Sequence, residues 1–172
     1  MVRKVVLFAV MVLAVGWTTR AAAYEVWGVR YDHYCITYDE GLGDAVRQWT
    51  AVSALEDCGT SATPDIALRI VDPWPHDRVV GRAFRYRDDY HITGCLIEMP
   101  VAHQYHLDVL IHEVGHCLGL QHSDVYASTM NPICCQPMSA DDVAGIQSIY
   151  GTDVQRDALR GTFRLFVPVV AR

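Results

Sequence analysis

The chemistry of this chain is concentrated in one stretch, His112-Glu113-Val114-Gly115-His116-Cys117-Leu118-Gly119-Leu120-Gln121-His122, which spells HExxHxxGxxH without a mismatch. On an α-helix, residues four apart stand one turn above each other, so His112 and His116 direct two imidazoles at one cation. Gly119 is where such a helix can end, because glycine tolerates the left-handed backbone that reverses the chain. His122 then returns as a third ligand. Three protein ligands leave one position for water, which separates a catalytic zinc from a closed structural one. Glu113 is the group to take that water's proton and pass it to a leaving amine, as base and then acid. The bland alternative is a hydrogen-bonded histidine pair on a core helix. Chance places the five fixed residues in register in roughly one chain in ten thousand or fewer, which disfavours it.

Several elements must position these side chains. Trp27 to Tyr38 is rich in aromatic and β-branched residues and predicts a strand, and Asp39 to Gly43 a turn. Asp44 to Asp57 carries Val46, Trp49, Val52 and Leu55, with Ala45 and Ala54, at near-helical spacing. It predicts an amphipathic helix with Trp49 in the core. Pro64 to Val71 alternates Ile66, Leu68 and Ile70 as a strand that stops at Asp72-Pro73-Trp74-Pro75. Val79 to Arg87 and Ile92 to Met99 predict two more strands around the turn Asp88-Asp89-Tyr90. A helix starting near Val101 to Tyr105 runs through Leu107, Leu110 and Ile111 into the histidine motif. Ser139 with Asp142 resembles a capping box that opens a last helix ending at Gly151. Phe163 to Val170 is apolar and strand-like.

Residues 1–23 read as a secretory signal peptide: Arg3 and Lys4, an apolar run from Val5 to Trp17, then Ala21-Ala22-Ala23 for cleavage. The run is short for a bilayer span, so no stable membrane association is expected after cleavage. The net charge of −6 is scattered, with no basic stripe for nucleic acid. Six cysteines, Cys35, Cys58, Cys95, Cys117, Cys134 and Cys135, all follow the leader, as disulfides in an oxidising compartment would require. Fifteen complete pairings are possible. The expected bridges are Cys35 with Cys58, and Cys117 with Cys134 or Cys135. Thiolate zinc binding lacks the CxxC spacing.

With the residues around the motif in view, the chain resembles the metzincin metalloproteases and, within them, the matrixins of the M10 peptidase type. Ser123 follows the third histidine, where matrixins carry serine or threonine. Astacins, adamalysins and serralysins typically have glutamate, aspartate and proline there. Ser128-Thr129-Met130-Asn131-Pro132 looks like the family's Met-turn, with Met130 eight residues after His122. Met138 to Gly151 is similar to the matrixin C-terminal helix almost throughout. The resemblance is strong from His112 to Gly151. From Trp27 to Met99 only the order of strands and helix is compatible.

The resemblance implies an α+β, zincin-like fold, a twisted mixed sheet of four to five strands with three main helices and a cleft at the metal helix. It implies Met130 as a hydrophobic floor under the histidines and an edge strand that takes up extended substrate, for which Ile92 to Met99 is the candidate. The expected domains are the signal peptide 1–23, a catalytic domain 24–155 and a C-terminal tail 156–172 of unknown role. The expected function is that of a secreted zinc endopeptidase, monomeric, acting on protein or peptide. The alternatives are a secreted zinc-binding protein without proteolytic activity, or a zinc amidase on a non-protein substrate.

Departures from the family are equally specific. The histidine- and aspartate-rich loop that holds a second zinc and calcium in many matrixins has no counterpart in Gly81 to Pro100, so one zinc is expected and calcium is unsupported. His91, His103 and His106 read as solvated or capping histidines, and Asp88-Asp89 and Asp141-Asp142 as turn and helix-start residues. Too few residues separate Ala23 from the first strand for a propeptide to be expected. Pro132 stands where astacins and serralysins place a tyrosine ligand.

Overall fold

A computed structural model describes residues 24–133, 136–152 and 155. The leader 1–23, Cys134, Cys135 and the segment Phe163 to Val170 lie outside the described residues.

Five strands form one sheet in the order β2-β1-β3-β5-β4. They are β1 (Cys35–Tyr38), β2 (Glu56–Thr60), β3 (Ile66–Val71), β4 (Arg82–Arg87) and β5 (Ile92–Pro100). Three helices join them, α1 (Gly43–Thr50), α2 (Leu107–Cys117) and α3 (Ala140–Tyr150). β1 runs parallel to β2 and β3, β3 runs parallel to β5, and β4 alone is antiparallel, paired with β5 from Arg82↔Glu98 to Arg87↔Ile92. Parallel neighbours cannot be joined by a tight turn, and α1 supplies the crossover between β1 and β2. This is the expected α+β arrangement with a mixed sheet.

α1 is shorter than its apolar spacing predicts. Ala45, Val46 and Trp49 are buried, but the chain leaves the helix at Ala51, and Glu56–Thr60 becomes a strand on the sheet edge beside β1. Leu55 is buried in the connection rather than on a helix face. The first strand is likewise reduced to Cys35–Tyr38, since Val26 and Arg30 instead make single bridges to Leu120 and His91. A 3-10 turn at Val101–His103 interrupts the approach to α2, so that helix starts at Leu107. α3 opens on the predicted capping box, in which Ser139 Oγ accepts from the Asp142 N–H and the Asp142 carboxylate accepts from the Ser139 N–H.

The core lies between the sheet and the helices and includes Ile36, Leu42, Trp49, Ile66, Ile97, Met99, Val114, Leu118, Leu120, Met130 and Ile146. Trp49 is fully buried, and its indole N–H donates to the Ile111 carbonyl at 2.9 Å, pinning α1 to α2. One disulfide joins Cys35 to Cys58, as expected. A second, also among the described residues, corrects the expectation for Cys117, whose partner is Cys95 on β5 with 5.5 Å between Cα atoms. The bridge therefore ties the end of α2 to the middle of the sheet rather than to the following loop.

Candidate metal centre

His112 and His116 project from the last turns of α2, and their ring centroids are 4.7 Å apart. The helix ends by a Schellman closure. The Leu120 N–H donates to the Gly115 carbonyl at 3.0 Å and the Gly119 N–H to the His116 carbonyl at 3.1 Å, with Gly119 at φ +104°. A β-carbon there would lie 2.9 Å from the Val29 carbonyl oxygen, so the position requires glycine twice over. The reversal brings His122 to ring centroid distances of 5.4 Å from His112 and 4.8 Å from His116. One nitrogen from each of the three rings lies within 4.8 Å of the others.

The Nδ1–H groups of two rings are committed. His112 donates to the Thr129 carbonyl at 2.6 Å and His116 to the Leu120 carbonyl at 2.9 Å. Both Nε2 lone pairs are thereby left for the shared space. Burial pushes His116 down to about 3, helped by His112 beside it, and burial also lowers His112 and His122. Neutral, convergent imidazoles are the donor set that zinc takes, with metal–nitrogen bonds of about 2.1 Å. The residues fit the ion.

Glu113 is buried next to the pair, and loss of hydration raises its carboxyl to about 7. Its Oε1 faces Gly81, where a β-carbon would approach it to 3.1 Å. Met130 packs beneath α2 against Gly115, at which a β-carbon would strike both Met130 and Trp49. The loop bearing Met130 hangs on Asp142, whose carboxylate accepts the Thr129 N–H at 2.9 Å, the Met130 N–H at 3.1 Å and the Ser128 hydroxyl. From the other side, the Arg85 guanidinium of β4 reaches the end of α2. Burial holds it below the usual arginine range, at about 10.

The triad and Glu113 share a cavity of about 340 Å³ whose opposite wall is formed by Arg78 to Ala83. β4 is thus the edge strand over the cleft. β5, the sequence candidate for that place, is bonded on both sides, to β3 and to β4. His103 and His106 lie apart from the triad with their Nδ1 atoms 3.2 Å from each other, and His91 lies by Asp88. Sequence reasoning missed Gly115, Arg85 and the role of Asp142 beneath the Met130 loop. A glycine in the middle of a helix, costly by about 1 kcal/mol against alanine, was the available signal for the first.

Residues 44–151 match the family model described as Matrixin. The chain is 29% identical to matrilysin of Mus musculus over 161 residues, covering 78% of this chain and 59% of that protein. It is 28% identical to metalloendoproteinase 1 of Glycine max over 140 residues, 67% of this chain and 46% of the relative. Against matrix metalloproteinase-27 of Homo sapiens it is 47% identical over 162 residues, 79% of this chain and 31% of the other. The match lies over α1 to α3 and takes in the three histidines, the Met130 loop and the capping-box helix, so this chain belongs to the matrixin family. It spans about half the length of the first two relatives named.

Proposed function

We propose that this chain is a secreted zinc-dependent endopeptidase in which His112, His116 and His122 hold the metal and Glu113 is the general base. The observation that supports it most is the shared cavity: three neutral imidazoles and one buried carboxylate open onto the same space, walled by a sheet edge. Zinc bound there supplies a Lewis acid that polarises a peptide carbonyl and makes water a nucleophile at neutral pH. Glu113 takes a proton from the attacking water and returns it to the leaving amine nitrogen. Thr129 and Leu120 hold two rings in the tautomer that presents Nε2. Among the described strands β4 pairs only with β5, and its other edge accepts an extended substrate backbone by strand addition.

Residues 1–23 serve as the export signal, 24–155 as the catalytic unit and 156–172 as a tail without an assigned role. The two disulfides support an oxidising destination. The test is to purify the mature chain, measure zinc and assay cleavage of a denatured protein. About one zinc per chain is expected, with cleavage falling roughly 10²–10⁴-fold in Glu113→Ala while the metal is retained. Metal-loaded protein inert against a broad peptide library would instead favour a zinc-binding module.

A further inference from the structure

We propose that Arg85 is a positioning residue for this site, fixing the His116 ring by holding the two carbonyl groups that frame it; the inference rests on reading the three histidines as metal ligands. Arg85 lies 31 residues before His116, on the strand that walls the cleft. Its Nη1 donates to the His116 carbonyl at 2.9 Å and stands 3.5 Å from the Leu120 carbonyl. The Leu120 oxygen is the acceptor of the His116 Nδ1–H. One guanidinium thus braces the ligand's own backbone and the group that sets its ring rotation.

Two further features hold this geometry in place. The His116 carbonyl belongs to the last turn of α2, where it accepts the Gly119 N–H at 3.1 Å and offers its second lone pair to Arg85, and where the helix dipole favours a cation. The guanidinium also lies over the Trp27 ring, 4.1 Å from its centroid. Trp27 in turn donates its backbone N–H to the Gly119 carbonyl at 3.0 Å. Arg85 is therefore clamped between β4, the N-terminal segment and the loop that leads from His116 to His122. Carbonyl partners of ligating histidines affect metal affinity because a free ring must be ordered again at every binding event.

The experiment is chelator competition for zinc on the full mature chain, with thermal unfolding of the metal-free protein and the visible spectrum of the cobalt-loaded form measured in parallel. Arg85→Met is expected to bind zinc 10–100-fold more weakly at a temperature where the metal-free variant is folded, with an altered cobalt spectrum. Arg85→Lys, a point donor that reaches one carbonyl, is expected to fall between the two. A folded Arg85→Met with zinc affinity within twofold of the unchanged protein and an identical cobalt spectrum overturns the role of Arg85 alone. Should Arg85→Met not fold, wild-type affinity in Arg85→Lys overturns it equally. Failure of the unchanged protein to take up zinc overturns the ligand reading, and this inference with it.

Discussion

Asp142 and His112 are connected through a single residue. The Asp142 carboxylate accepts the Thr129 N–H, and the Thr129 carbonyl accepts the Nδ1–H of His112. A carboxylate on the last helix thereby sets the orientation of the first histidine, by way of the loop that also carries Met130.

Asp142→Ala removes the acceptor of the Thr129, Met130 and Ser139 N–H groups and of two hydroxyls, at a site that is 1% exposed. Stranded buried donors make the expected loss about 3 kcal/mol in urea unfolding. Zinc affinity should fall as well, since the Thr129 carbonyl loses its anchor. Unchanged stability would show that water replaces the carboxylate.

Gly115→Ala places a methyl group against Met130 and against Trp49, whose ring carbon would be 2.7 Å away. Exposed glycine-to-alanine changes in helices stabilise by about 1 kcal/mol, but overpacking here should reverse the sign and cost about 1–3 kcal/mol. Thermal denaturation decides it, and a raised midpoint would mean that Met130 yields easily.

The metal helix, its glycine stop and the capping box on Ser139 were legible because each is a local pattern, set by neighbours three or four residues apart. Pairing across the sheet is not local. Position before the metal helix points to Ile92 to Met99 as the edge, whereas its apolar run through Cys95, Leu96 and Ile97 suits the place it occupies, bonded on both sides. β2, with the sequence Glu-Asp-Cys-Gly-Thr, carries no apolar alternation at all, and only its parallel register with β1 makes it a strand. Arg85 was unreadable for the same reason: its partners lie 31 and 35 residues away.

The Cys95–Cys117 bridge joins residues 22 apart and encloses the whole of α2. Replacing both cysteines by alanine should lower stability by about 2–4 kcal/mol in chemical denaturation. Both sulfurs are buried, so mild reductant should leave the folded protein intact and act only once it opens. Rapid reduction under native conditions would contradict this placement.

Asp88 in the β4–β5 turn accepts the backbone N–H groups of Tyr90 at 2.8 Å and His91 at 2.7 Å, which hold its carboxyl below the ordinary value of 3.8. The folded chain binds this proton more weakly than the unfolded one. Its stabilisation is therefore full above the unfolded pKa and is lost as pH falls through the lower folded value. Asp88→Asn should be less stable than the unchanged protein at neutral pH, with the gap closing as the pH falls through the lowered pKa of the Asp88 carboxyl. A gap that persists in acid would assign the effect to packing.

The N-terminal segment gives the site an order of assembly. His112 and His116 come into register as soon as α2 winds, a local event that costs little chain entropy. The loop from Gly119 to Gln121, which delivers His122, is paired with Glu25, Val26 and Trp27 across roughly ninety residues of chain. Such a closure comes late on a folding pathway, because its entropy must be met before its bonds form. The third histidine thus depends on contacts between distant parts of the chain, whereas the first two depend on a single helix.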